Sequence, residues 1–198
     1  MHSLKLNSRF GLLASVLTVV ACKAYQMPSS SMEPTVLAGD YVLALSKVRS
    51  PAREEVVIYN LKGLPYVKRV LGLPGDTLSM RDGVLVVNGQ PVVEPYASHR
   101  TETARVDSAF TWQRRFLERE RDSTMYHPTL TAWGPIVVPP DNYFVLGDNR
   151  GESADSRYTG FVRRAEIFAR PMFIYFSRDR QSGKIRWDRI GIRLRDST

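Results

Sequence analysis

Three stretches of this chain hold residue types that could do chemistry together. The first is Gln26 to Thr35, where Ser29, Ser30 and Ser31 stand in a row between Pro28 and Pro34. The prolines cannot donate to a central sheet ladder, so the stretch is loop or edge. A serine hydroxyl is a weak nucleophile until a neighbour takes its proton. By itself a Ser/Pro-rich stretch is a linker, and the base must come from elsewhere. His2, His99 and His127 stand far apart with no ligand spacing, and Cys22 is the single cysteine. That excludes a disulfide framework and a cysteine metal site. No metal or cofactor is expected.

The second stretch is Tyr66-Val67-Lys68-Arg69-Val70-Leu71. Strand alternation puts Tyr66, Lys68 and Val70 on one face and Val67, Arg69 and Leu71 on the other. One basic residue must then share a face with apolar neighbours, unless this is an edge strand whose basic side chains snorkel out. If Lys68 points inward, burial disfavours its charged form and its pKa falls. A neutral amine is a usable general base. Serine with lysine is a variant of the serine–base arrangement that needs no histidine.

The third stretch, Gly147 to Arg157, is dense in turn formers, hydroxyls and charges. It reads either as a polar surface turn or as a loop fixed by an ion pair. The pair would be Asp155 with Arg157, or Asp148 with an arginine. Ser153 could hold the lysine amine.

A length of 198 residues suffices for one domain with an insertion. Short strands recur with turn signals between them. They cover Tyr41–Leu45, Val56–Tyr59, Tyr66–Leu71, Thr77–Met80, Val84–Val87, Gln90–Val93, Ile136–Val138, Tyr143–Leu146, Phe168–Phe176 and Ile185–Leu194. Asp82-Gly83 and Asn88-Gly89 are two-residue hairpin signals, because type I′ turns need positive φ at both central residues. The fold expected is mainly β, folded antiparallel sheets or a barrel, with an inserted smaller α+β region and an apolar anchor helix before it. The anchor is assigned to residues 1–24, the catalytic domain to 25–95 and 135–198, and the insertion to 96–134. The insertion's alternating acids and bases read as a solvated face.

Phe10 to Cys22 is an apolar run of 13 residues, preceded by Lys5 and Arg9 and closed by Lys23. A spanning helix needs about 20 residues. Three readings stay open for 10–22: an uncleaved anchor extended by Lys23, Ala24 and Tyr25, a cleaved signal peptide, or acylation at Cys22. A core helix of a soluble domain is the bland alternative. The basic flank predicts a cytoplasmic N-terminus. The net charge of +8 suits an anionic membrane surface or nucleic acid.

Together these stretches resemble type I signal peptidases, the bacterial leader peptidases. Four boxes carry the resemblance in the family's order: Pro28 to Thr35, Gly39 to Val42, Tyr66 to Asp76, and Gly147 to Arg157 with Tyr158 to Val162. The resemblance implies a serine endopeptidase that removes signal peptides from preproteins at the bacterial inner membrane, with its catalytic domain on the outer, periplasmic side. It implies Ser31 as nucleophile, Lys68 as general base, and Ser29 with the Ser31 backbone N–H as the oxyanion site. Ser153 matches the serine that orients the lysine. Asp155 and Arg157 match a supporting pair, and Asp148 and Asn149 match the turn before them. The implied partners are extended signal peptides and membrane lipids, not nucleic acid. Met27, Met32, Val36 and Val67 are the candidate pocket walls. Many relatives have two spans where this chain has one short run.

Rival readings are a dedicated maturation peptidase for a conjugation or pilus client, and a membrane-tethered binding module with a silent site. Self-cleaving repressors also use serine and lysine, but would need a DNA-binding module in place of the apolar run.

Overall fold

The computed structural model describes residues 22–46, 50–98, 106–118 and 126–194. Most of the regular structure in these residues is antiparallel strand. The eleven strands are β1 (Cys22–Gln26), β2 (Asp40–Ser46), β3 (Val56–Leu61), β4 (Leu64–Gly72), β5 (Thr77–Arg81), β6 (Val84–Val87), β7 (Gln90–Pro91), β8 (Trp133–Val137), β9 (Asn142–Leu146), β10 (Val162–Arg163) and β11 (Ile167–Ser177). They form a seven-stranded sheet, ordered β1-β2-β11-β3-β4-β9-β10, and a four-stranded sheet, ordered β7-β6-β5-β8. The expectation of folded antiparallel sheets is met. The strands pair as two open sheets rather than as a closed barrel.

Both hairpin signals form the expected turns. Asp82 and Gly83 have φ of 50° and 81°, and Asn88 and Gly89 have 52° and 80°. A third such turn, Lys62-Gly63 between β3 and β4, has φ of 52° and 86°. It escaped notice because lysine is not a usual first residue for that turn.

One core lies between the sheets. Leu71, Phe144 and Leu146 of the large sheet pack with Leu78, Leu85 and Ile136 of the small one. Residues from the expected insertion join it. Phe110 and Trp133 are buried there, and Trp112 and Phe116 pack against it. The region is therefore not merely a solvated face: its aromatics point inward while Arg114 and Arg115 stay exposed. Its described part is a 3-10 helix over Ser108–Phe116 with isolated bridges, and Trp133 already belongs to β8.

Two more expectations change. Ile185–Leu194 is not a strand; it holds a 3-10 turn at Trp187–Arg189 and only single bridges, Arg178 with Ile185 and Phe173 with Arg193. The segment turns at Gly191, where φ is 93°. At the other end, residues 1–21 of the expected anchor lie outside the described residues. Cys22, Lys23 and Ala24 belong to β1, paired with Leu45, Ala44 and Leu43 of β2. Among the described residues no helix is long and apolar enough to cross a membrane.

Candidate active site

Ser31 is delivered by a turn, not by an extended strand. After β1 the chain bends at Ser29 and Ser30, and residues 31–35 form a turn. Glu33 N donates to Ser30 O and Val36 N to Met32 O. Extended geometry was the reason to expect Ser29 and Ser31 on one side. The bend serves instead: their hydroxyl oxygens are 3.2 Å apart. Ser31 is buried and Ser29 exposed. Among the described residues no carbonyl accepts the Ser31 N–H.

Lys68 comes from the middle of β4. Its Nζ donates to Ser31 Oγ at 2.7 Å and to its neighbour's carbonyl, Val67 O, at 3.1 Å. The side chain is 3 % exposed. Burial pushes its pKa down to about 8, against the opposing charges of Asp155 and Asp148. The arrangement supplies a hydroxyl and, above that pH, a neutral amine within reach of its proton.

Arg69 points the other way and is just as buried, at 1 %. Sequence reasoning required only one of the two basic residues to be inside. Arg69 Nε and Nη2 meet the two carboxylate oxygens of Asp148 at 2.8 and 2.6 Å. Nη1 donates to Glu54 O at 2.7 Å, and the guanidinium lies 3.9 Å from the centre of the Tyr96 ring. A fork of this shape suits the planar guanidinium. Both alternatives left open for the loop's ion pair therefore occur.

The loop after β9 carries the second pair and braces the serine turn. Arg157 Nε and Nη2 donate to Asp155 at 2.8 Å each. Burial alone would raise the Asp155 carboxyl. The Arg157 charge and hydrogen bonds, with the Gly147 N–H, overcome this and hold it below the ordinary range. Asn149 N donates to Ser31 O and Asn149 Nδ2 to Ser30 O, both at 3.2 Å. Thr35 Oγ1 donates to Asp148 Oδ2 at 2.5 Å. Gly147 must be glycine: a Cβ there would overlap Ser153 Oγ and the Ser31 carbonyl. Ser153 thus sits close to the Ser31 backbone. Its Oγ is buried beside the Asp155 carboxylate, whose charge it helps to hold, and is not hydrogen-bonded to Lys68.

A cavity of about 390 Å³ opens beside Ser31 and Lys68. Met27, Met32 and Val67 line it. Val36 does not; it is fully buried in a cluster with Val42 and Ile174. Tyr25, Ile58 and Leu64 line the cavity too. No sequence pattern marked them, because they come from three different strands.

Sequence reasoning also missed three arginines that reach the serine segment from the far end of the chain. Arg180 Nη1 donates to Pro28 O at 2.6 Å, Arg186 Nη2 to Ala38 O at 2.6 Å, and Arg189 Nη2 to Thr35 O at 2.9 Å. The density of arginine after residue 177 was the only available signal.

A family model described as signal peptidase, peptidase S26, matches residues 4–176. The chain is 33% identical over 157 residues to signal peptidase I of Bacillus amyloliquefaciens, covering 77% of this chain and 75% of that one. It is 33% identical over 171 residues to signal peptidase I of Bacillus licheniformis, covering 83% and 82%. A probable signal peptidase I-2 of Synechocystis is 32% identical over 170 residues, covering 80% of this chain and 65% of that one. A crystal structure of a signal peptidase I from Enterococcus faecalis aligns with a TM-score of 0.40 and 31% identity, over 61% of this chain and 96% of that one.

Proposed function

The chain belongs to the signal peptidase family, peptidase S26, and we propose that it is a serine endopeptidase that removes N-terminal signal peptides, with Ser31 as nucleophile and Lys68 as base. The observation that carries the assignment of roles is the 2.7 Å contact between Lys68 Nζ and Ser31 Oγ at a buried position.

Ser31 Oγ attacks the scissile carbonyl carbon while its proton passes to Lys68 Nζ. The oxyanion rests on the Ser31 N–H and the Ser29 hydroxyl, and one such donor is worth roughly 3 kcal/mol. Lys68 returns the proton to the leaving amine, which frees the mature protein. Water, deprotonated by Lys68, then hydrolyses the ester that joins the signal peptide to Ser31. Each time Lys68 becomes an ammonium it has three N–H groups to satisfy. Ser31 Oγ and Val67 O account for two, and the buried Ser153 hydroxyl is assigned to the third. Asp155 and Arg157 hold the loop that carries Ser153.

The substrate is an extended peptide. β9 pairs with β4 only from Arg69 onward, so among the described residues the side of Leu64–Lys68 turned away from β3 has no ladder partner. β1 is an edge strand that leads straight to Met27 and Ser29. A peptide strand added along 65–68 and 26–29 would present alternate side chains to the cavity. Its apolar walls suit the small residues before a signal cleavage site.

The enzyme is further assigned to the cytoplasmic membrane, N-terminus inside and catalytic domain outside. The apolar run Phe10–Cys22 and its basic flank support this.

Cleavage of a purified preprotein by the full-length protein tests the reading. Ser31→Ala and Lys68→Ala should each abolish it, and Ser30→Ala should leave it nearly unchanged. Activity retained in either of the first two sinks the mechanism.

A further inference from the structure

Residues 28–40 carry the nucleophile yet make few hydrogen bonds among themselves. Glu33 N to Ser30 O, Val36 N to Met32 O and Asp40 N to Leu37 O are the backbone bonds internal to the segment. Three of its remaining carbonyls accept from arginines of the segment 178–189, at Pro28, Thr35 and Ala38. Arg189 does more than touch a carbonyl. Its Nη2 and Nε also grip Asp40, at 2.7 Å and 3.1 Å to Oδ2. Asp40 is fully buried and accepts from Ser177 Oγ at 2.6 Å and Leu37 N at 2.8 Å. The two segments approach so closely that a Cβ on Gly39 would overlap the Arg178 carbonyl.

Thr35 is consequently held from two sides. Its hydroxyl is tied to Asp148, itself forked to Arg69, and its carbonyl is tied to Arg189. It lies four residues after Ser31, one turn along the chain.

We propose that Arg189, seconded by Arg186, is a positioning residue for the nucleophile: it fixes the 31–35 turn from below so that Ser31 Oγ meets Lys68. This rests on the reading of Ser31 as nucleophile. Arg189 touches neither the reacting atoms nor the cavity walls. Its guanidinium suits the task because one rigid fork serves a carboxylate and a carbonyl together and cannot lose its charge. The loss expected is in kcat, because a misplacement of about 1 Å in a reacting group costs roughly a hundredfold.

The test is steady-state cleavage of a preprotein by the full-length protein carrying Arg189→Ala. A fall in kcat of about a hundredfold is expected, with KM changed less than about threefold. Millimolar guanidinium chloride should restore part of that kcat and leave the unsubstituted enzyme unaffected. Arg189→Lys should fall between the two, since it keeps the charge and loses the fork. Unchanged kcat overturns the proposal. So does a loss that tracks the folded fraction by circular dichroism and is not rescued by guanidinium. If Arg189→Ala does not fold, Arg186→Ala decides: a smaller kcat loss at constant KM supports the proposal, and none overturns it. Ser31→Ala runs beside them. Activity retained there defeats the assignment of the nucleophile, whereas an inactive Ser31→Ala with a normal Arg189→Ala defeats only the arginine.

Discussion

Lys68 and Arg69 follow one another in β4, both are buried, and each is met by a different part of the chain. Ser31 Oγ takes Lys68, and the Asp148 carboxylate takes Arg69. The difference in partners sets the difference in chemistry. A guanidinium stays charged, and a buried charge requires a counter-charge. A lysine given a hydroxyl and a carbonyl but no carboxylate in contact can instead give up its proton. Adjacent positions on one strand thus hold a permanent cation that ties the loop and a titrating amine, the proposed base.

The pH dependence of catalysis should report Lys68. Its pKa is lowered to about 8, so its base form grows as pH rises through that value. At pH 7 about one molecule in ten carries the neutral amine. The acid limb of kcat/KM should therefore rise about tenfold per pH unit below 8 and level off above it. Measurement across pH 6 to 9.5 with a peptide substrate checks this. A limb near the ordinary carboxylate range would assign the base elsewhere.

The same lysine should be a burden on stability. Its folded pKa, about 8, is below its ordinary 10.5, so the folded state binds fewer protons between those values. Stability is then highest above 10.5 and falls as pH drops toward 8. Below 8 the buried ammonium costs roughly 3 kcal/mol. Lys68→Met removes that cost and loses two hydrogen bonds, each worth about 1 kcal/mol. The inactive variant should be roughly 1 kcal/mol more stable at pH 7 by urea unfolding. The gap should shrink and reverse before pH reaches 10.5. A variant less stable than the parent at pH 7 would mean that burial does not set the lysine's pKa.

Gly147→Ala tests the packing of the two serines. The added methyl would overlap Ser153 Oγ and the Ser31 carbonyl. Overpacking of this kind costs typically 1–3 kcal/mol, on the order of one such substitution in a core. Activity should fall further than stability does, because the displaced carbonyl belongs to Ser31, the proposed nucleophile. A folded Gly147→Ala protein with full kcat would show that the Ser31 backbone has room to move.

How much was legible in the sequence follows from the range of each interaction. Asp82-Gly83 and Asn88-Gly89 act through their own φ angles, so their turns could be read directly. Alternation in Tyr66–Leu71 is also local, and it foretold opposite faces for Lys68 and Arg69. Val36 was misjudged as a pocket wall because apolar character does not say which apolar space a side chain fills. Ile185–Leu194 misled for a related reason. Its alternating pattern looked like a strand, while Arg186 and Arg189 are committed to carbonyls and a carboxylate about 150 residues away in the chain. The inward aromatics of the insertion, Phe110 and Trp112, were hidden among charges that do remain outside.

The bond from Arg189 to the Thr35 carbonyl joins residues 154 apart in the chain. Ribosomal order makes this a matter of timing. Ser31 and Lys68 are synthesised first, and Arg189, their proposed positioning residue, is added much later. At typical elongation rates the interval is roughly 8–30 s. For that time the nascent chain holds Ser31 and Lys68 without the bond from Arg189 to the Thr35 carbonyl. With Arg189 in the proposed positioning role, full activity waits until synthesis has passed residue 189.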